Sequence, residues 1–393
     1  LRLRERNMKR TREESEKEEE LEKSKAIHEF LIFLKENGLD EKEFSTDTKG
    51  LPRYVRVNPY GNAKNAAATI SNTKECEKIE WLPGCEVYAM TGHIKISSME
   101  SYKNGDIYGI DAASCAAVFA LNPSPGDHVL DLCTSPGSKF CMIADMMKRT
   151  GSVTGVDISL SRLHVTLKIL KKYGQVETVS DRKWRCRLFE SDGQTFDVRP
   201  NEDDPDAHFD SKIFAQLDEK FRKLVNMNKS LRGRLKKLRE KMRSSLSSTP
   251  ITSPRMLYDR VLVDAECSHD GSIRHIEKFQ DWGWSTFSKR VMNPDRLKSL
   301  PVLQRGLLEN GFRLLKVGGT LVYSTCSLTR SQNEDVVSWF LEKYAPSKVK
   351  IVPVPLLESS APCRTGSIKH TYRFSAMKSR TSGLFLATFV KLS

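Results

Sequence analysis

Apolar runs in the second half of the chain are short, and each is followed by a small-residue loop and then a stretch with helical spacing. V-L-D-L-C (129–133) leads through T-S-P-G-S-K into a helical pattern ending at Met147. S-V-T-G-V-D-I (152–158) reads as a second strand, with a helix from Ser159 to about Tyr173. A third strand ends near Glu190, and R-V-L-V-D (260–264) is the fourth. A helix over about 299–315 then leads through K-V-G-G into T-L-V-Y-S-T-C, the fifth. Strands alternating with helices predict an α/β fold built on a parallel, doubly wound sheet.

The first hundred residues follow other rules. Residues 1–25 are almost wholly Arg, Lys and Glu and read as a solvated helix or a disordered arm. An apolar cluster from Ile27 to Leu34 predicts a helix that stops near Gly38. L-P-R-Y-V-R-V-N (51–58) and E-V-Y-A-M (86–90) are short alternating strands separated by turn residues. The chain therefore divides into a charged helical arm (1–44), a small α+β module (45–105) and an α/β domain (106–393).

Within that domain the rhythm breaks over 197–257. After an acidic patch from Glu202 to Asp206, residues Phe214, Leu217, Phe221, Leu224, Leu231, Leu235, Leu238 and Met242 recur at spacings of three and four, with Asn228 in the vacant place. This is a heptad stripe with asparagine at one core position. Residues 229–243 carry eight Lys/Arg against Glu240 alone. They predict an inserted basic amphipathic helix, docked on the protein's own core or, over 214–242, on a helical protein partner.

Charge narrows the partners. A net charge of +14 and a pI near 9.3 point to a polyanion, with nucleic acid the leading reading. No apolar run approaches the roughly eighteen residues of a membrane span. Nine cysteines are scattered without a C-x-x-C pair, which argues against a zinc site or a disulfide framework and for a reducing intracellular compartment. Nucleus, nucleolus and cytoplasm all fit. The chain begins at Leu1 without a methionine, which leaves organelle targeting open.

Doubly wound sheets bind ligands at the carboxyl ends of their strands. Cys133 to Lys139 follows the first such strand; Pro136 and Gly137 allow a tight turn, and Ser135 and Ser138 let a ligand approach the backbone. Asp157 ends the next strand at a distance suited to ribose hydroxyls, and Asp192 follows the third, at the adenine end of such a nucleoside. The absence of G-x-G-x-x-G weighs against nicotinamide or flavin. T-L-V-Y-S-T-C-S (320–327) presents Cys326 at a strand end, where a thiol is more often packing than chemistry. His269 and His275 read as loop residues. Trp282, Trp284 and Phe287, beside Lys289 and Arg290, suit base stacking and core filling equally.

These motifs together resemble a known family. D-L-C-T-S-P-G-S-K, V-D-A-E-C-S (263–268) and Y-S-T-C-S (323–327) are similar to the glycine loop and the two cysteine motifs of the Fmu/NOL/NOP/Sun RNA cytosine-5 methyltransferases. L-P-R-Y-V-R-V-N, G-D-I-Y-G-I-D-A-A-S (105–114), Q-N-E-D-V-V (332–337) and T-S-G-L-F-L-A (381–387) extend the resemblance over about 50–393, apart from the 197–257 insertion. It implies a Rossmann-like methyltransferase sheet preceded by an RNA-recognition-like module, with S-adenosylmethionine as cofactor and rRNA or tRNA as partner. By the same resemblance, Cys133, Thr134, Ser135, Pro136, Gly137, Ser138, Lys139, Asp157, Arg162, Asp192 and Asp264 contact the cofactor. Cys326 carries over as nucleophile, Cys267 as the cysteine that helps release product, and Asp264 as a holder of the cytosine. No metal is implied.

The chemistry explains why thiols are needed. Carbon 5 of cytosine is a poor nucleophile until a thiolate adds to carbon 6, and that carbon-5 proton must leave before the thiol can. Two positions depart from the family pattern. Thr134, Ser135 and Ser138 stand where Ala, Ala and Gly are usual, and Glu266 replaces the proline before Cys267, where like charge is expected to raise the thiol pKa. The rival readings are an RNA-binding or ribosome-assembly factor that keeps the fold with weakened catalysis, and a DNA or protein methyltransferase.

Overall fold

The computed structural model describes residues 2–40, 42, 50–91, 94–176, 184–202, 209–210, 256–277, 279 and 283–393. The heptad stripe over 214–242 and Trp282 lie outside the described residues.

The charged arm and the apolar cluster form one helix, α1 (Arg2–Glu36). Ala26, Phe30, Phe33 and Leu34 lie on one face of the helix and bury against Phe279, Trp284, Phe287 and Val291. Phe30 meets Phe287 edge-on, with ring centroids 5.4 Å apart. Trp284 and Phe287 are 7% and 1% exposed, so they fill this core and do not offer faces to bases.

Next comes an antiparallel sheet of β1 (Arg53–Val57), β2 (Cys76–Lys78), β3 (Val87–Met90) and β4 (Ile107–Gly109), in the order β2-β3-β1-β4. Helices α2 (Ala63–Asn72) and α3 (Glu100–Asn104) accompany it. The module boundary expected at 105 therefore moves, because β4 pairs with β1 through Val55 opposite Gly109. A three-residue strand is too short to announce itself by alternation.

The main sheet begins after α4 (Ala112–Leu121). Its first half holds β5 (His128–Asp131), α5 (Ser138–Met146), β6 (Gly151–Asp157), α6 (Leu160–Lys172), β7 (Trp184–Glu190) and β8 (Phe209–Asp210). Its second half holds β9 (Tyr258–Asp264), α7 (Ile273–Glu277), α8 (Trp284–Arg290), α9 (Pro294–Leu314), β10 (Leu315–Thr325), α10 (Glu334–Tyr344), β11 (Val349–Ile351), α11 (Pro355–Ser359), β12 (Arg364–Thr365), β13 (Thr371–Phe374), α12 (Ala376–Ser379) and β14 (Leu384–Lys391). Strand order is β12-β13-β14-β10-β9-β5-β6-β7-β8, with β11 on β14.

Strands β10, β9, β5, β6 and β7 run parallel, as expected. The sheet as a whole is mixed, because β14, β13, β12 and β11 pair antiparallel at one edge and β8 at the other. Strands β11 to β14 come after the last strand-helix repeat, and the two-residue β8 is the next strand after β7, so that repeat announces neither group.

Alternation along the central strands feeds two cores. Val129, Leu262 and Val322 face one; Leu130, Val261, Val263, Leu321 and Tyr323 face the other. Strand β5 pairs with β6 on one side and β9 on the other, so chain order reverses there. A crevice at the carboxyl ends of β5, β6, β9 and β10 is the consequence.

Candidate active site

That crevice is a cavity of about 720 Å³, lined by Asp111, Cys133, Lys139, Asp157, Arg162 and Asp192 in one part and by Asp264, Glu266, His269, Arg296 and Cys326 in another. Of the loop 133–139, Cys133 and Lys139 reach the cavity wall. Thr134 and Ser135 are buried, and Gly137 makes the turn with φ of +106°. A Cβ at Gly137 would lie 2.9 Å from Thr166 Cγ2, so both backbone angle and space require glycine. Ser135 is held from behind: Thr166 Oγ1 donates to its hydroxyl at 3.0 Å, and Arg162 Nη2 to its carbonyl at 3.0 Å. Pro136 and Ser138 shape the entry to α5 without lining the cavity.

Asp157 closes β6. Its Oδ1 accepts from the Ser159 amide at 2.9 Å, while Oδ2 is buried without a hydrogen-bond partner, 3.4 Å from Arg162 Nη1. A buried acceptor left unmatched on a cavity wall is a place for a ligand hydroxyl. Asp192 Oδ1 accepts from the Gln194 amide at 2.9 Å.

Asp264 closes β9 with both oxygens engaged: Lys139 Nζ donates to Oδ2 and Ser324 Oγ to Oδ1, each at 2.7 Å. Burial opposes the Lys139 charge, but Asp264 outweighs it and pushes Lys139 up. Asp131, inside the D-L-C motif, is 1% exposed; burial, then the charge of Asp264, pushes its carboxyl up to about 7. It was not among the candidates read from the sequence.

The two motif cysteines meet. Cys267 Sγ and Cys326 Sγ are 3.2 Å apart, although 58 residues separate them along the chain. His269 Nδ1 is 2.9 Å from Cys326 Sγ and 3.8 Å from Cys267 Sγ. From the sequence this histidine reads as a surface or loop residue and not as a metal ligand; the structure turns its ring onto the thiols. Its φ of +60°, a left-handed conformation, turns the chain directly after Ser268. A titratable ring two positions beyond a motif cysteine was the available signal.

Burial opposes charge at Cys267, but the hydrogen bond from Cys326 and the nearby His269 outweigh it and hold its thiol well below the ordinary range. The same hydrogen bond, then burial, pushes Cys326 up. Physically the two sulfurs share one negative charge: the first proton leaves easily, the second with difficulty. The charge of Cys267 in turn raises His269. By contrast, burial pushes the Cys133 thiol far up, which makes it unreactive.

Glu266 does not act as the sequence predicts. It pairs with Arg296 Nη2 at 2.9 Å, and Arg296 also donates to the Cys267 carbonyl at 3.3 Å. Its charge is matched at the surface, and the neighbouring thiol is lowered, not raised.

Behind the sulfurs lies a polar network that ties both loops together. Gln332 accepts from the Ser268 amide at 3.1 Å and donates to the Ser268 hydroxyl at 2.9 Å. Asn333 donates to the Ser327 carbonyl at 2.9 Å and accepts from Thr325 Oγ1 at 2.6 Å. Asp270 accepts from the Ser268 hydroxyl and from the Leu328 amide. The Q-N-E run thus holds the loops that carry the thiols. Side chains of His275 and Trp282 are outside the described residues.

This chain is similar to known proteins to different extents. A ribosomal RNA small subunit methyltransferase F from Klebsiella pneumoniae is 28% identical over 68% of this chain, which spans 42% of that protein's length. A tRNA (cytosine(49)-C(5))-methyltransferase from Pyrococcus abyssi is 24% identical over 87% of this chain and 89% of its own. The crystal structure of a methyltransferase homolog from Pyrococcus horikoshii, 23% identical, superposes with a TM-score of 0.58 over 91% of this chain and 97% of its own, and so shares the fold. The family model described as 16S rRNA methyltransferase RsmB/F matches residues 118–198 and 212–390, which takes in most of the stretch set aside as an insertion. Since the match embraces the glycine loop, both cysteine strands and well over half of the sequence, the chain belongs to the RsmB/F methyltransferase family.

Proposed function

We propose that this chain methylates carbon 5 of a cytosine in rRNA or tRNA, using S-adenosylmethionine and a covalent adduct on Cys326. The observation that carries this reading is the pair of sulfurs 3.2 Å apart, with Cys326 on the wall of the crevice beside His269 and Asp264 and Cys267 buried behind it. The names of the Klebsiella and Pyrococcus relatives support RNA as the substrate class.

S-adenosylmethionine, when bound, supplies an electrophilic methyl group on a sulfonium. The residues present fit it: Asp157 Oδ2 is a buried acceptor without a hydrogen-bond partner, suited to a ribose hydroxyl, and Asp192 lines the same wall. Arg162 and Ser135 shape the turn that brings the backbone close.

On the RNA side, the target base must leave its stack to reach a buried thiol. The first proton of the thiol pair goes to His269, and the shared negative charge moves onto Cys326 as it adds to carbon 6, the remaining proton resting on Cys267 until solvent takes it. Asp264 keeps lone pairs beyond those bound by Lys139 and Ser324 and can hold the exocyclic amine. Lys139 sits where it offsets charge built up on the base. Cys267, or a water it positions, then takes the carbon-5 proton, and Cys326 leaves. The four-stranded module and the net charge of +14 supply RNA affinity in this reading.

Denaturing gels with substrate RNA test it. Cys326→Ala should form no adduct, because no other group activates carbon 6. Cys267→Ala should accumulate a protein–RNA conjugate that fails to resolve. A stable conjugate with Cys326→Ala but not with Cys267→Ala would reverse the two roles; none with any variant or with wild type would remove the mechanism.

A further inference from the structure

We propose that Cys267, His269 and Cys326 also bind one soft divalent cation, zinc first among them, and that the metal and the RNA base compete for the same sulfur. Two thiols and an imidazole are a donor set that zinc selects. All three ligand atoms lie within 4.8 Å of one another. Their separations are 3.2, 2.9 and 3.8 Å. A tetrahedral zinc, with Zn–S near 2.3 Å and Zn–N near 2.0–2.1 Å, needs donors roughly 3.6–3.8 Å apart. Widening the two short edges by about 0.6 Å brings the triangle to size.

The surroundings suit an ion as well. His269 and Cys326 both line the cavity, which gives a metal an entry path and leaves its fourth position to water. The donors sit on two loops pinned by Gln332 and Asp270, so little order has to be gained on binding. Sequence spacing could not reveal the site, because its ligands come from neighbouring strand ends and not from one C-x-x-C segment. Binding displaces any thiol protons to solvent and forms no other bond. Competition with RNA rests on the reading of Cys326 as nucleophile; metal binding itself does not.

Cobalt(II), added to the reduced, metal-stripped full chain, is the probe. Wild type should take up one cobalt with thiolate-to-metal charge-transfer bands and the strong visible bands of a tetrahedral site, and one equivalent of zinc should displace it. Cys267→Ala, Cys326→Ala and His269→Gln should each weaken binding by about tenfold or more, since even outer-shell changes cost about 10–100-fold. Cys363→Ala should leave binding unchanged, and circular dichroism should report the variants folded. Saturating zinc should suppress the protein–RNA adduct, and chelation should restore it. If stoichiometric cobalt gives no thiolate bands, or if folded His269→Gln and Cys326→Ala bind as wild type does, the site is overturned. If the bands vanish in Cys326→Ala while that variant still forms the adduct, the metal site stands and the nucleophile assignment falls.

Discussion

Asp131 shows how a single buried side chain can leave a measurable trace. Its carboxyl is pushed up to about 7 from an ordinary value near 3.8, by burial first and by Asp264 second. Between those two values the folded chain holds a proton that the unfolded chain has lost. Stability should therefore fall as pH rises from about 4 to about 7, at up to roughly 1.4 kcal/mol per unit. Asp131→Asn should flatten that part of the profile, followed by thermal unfolding across the range. An unchanged slope would mean that Asp131 keeps its charge when buried. His269 teaches a second lesson at this scale: it stands two positions past a motif cysteine, yet nothing in spacing says which way its ring turns. The left-handed backbone decides that, and it comes from how the loop packs.

The short segments after β9 and β10 matter more than the strands themselves. Each cysteine is placed by a loop whose hydroxyls and amides are tied to Gln332, Asn333 and Asp270. Gln332→Ala would leave the Ser268 amide and hydroxyl without these partners and let the two sulfurs drift. A displacement near 1 Å at reacting atoms costs on the order of a hundredfold in rate. We expect adduct formation in Gln332→Ala to slow by about that factor, with S-adenosylmethionine affinity unchanged by calorimetry, because Gln332 is not on the cavity wall. Equal slowing and loss of cofactor affinity would point instead to general unfolding of the crevice. In the sequence this run is legible as a motif, but its task is not: Ser268, which Gln332 holds, lies 64 residues away.

At the scale of the whole molecule, a buried ion pair joins the small module to the main domain. Arg56 on β1 bonds Asp145 on α5, while Tyr108 and Gln175 bond the same carboxylate at 3.2 and 2.8 Å. Both charged side chains are almost wholly out of solvent. Arg56→Met should cost about 3–5 kcal/mol in denaturant unfolding, because it strands a buried carboxylate. Arg56→Met combined with Asp145→Leu should recover part of that loss. Were the double variant no better than the single one, the pair would not be what couples the two units. The arm adds a second junction, where the Phe30 face of α1 packs on Phe279, Trp284 and Phe287.

Local chemistry determined the parallel strands, the turn at Gly137 and the motif thiols, because strand periodicity, glycine's backbone freedom and residue type act over a few neighbours. Only tertiary structure decided that Cys267 and Cys326 touch, that His269 faces them, that Glu266 spends its charge on Arg296, and that β4 completes the first sheet. These facts depend on register between strands far apart in the chain. The physical reason is that a side chain's pKa and reach are set by whatever packing brings against it, and packing partners leave no mark in spacing.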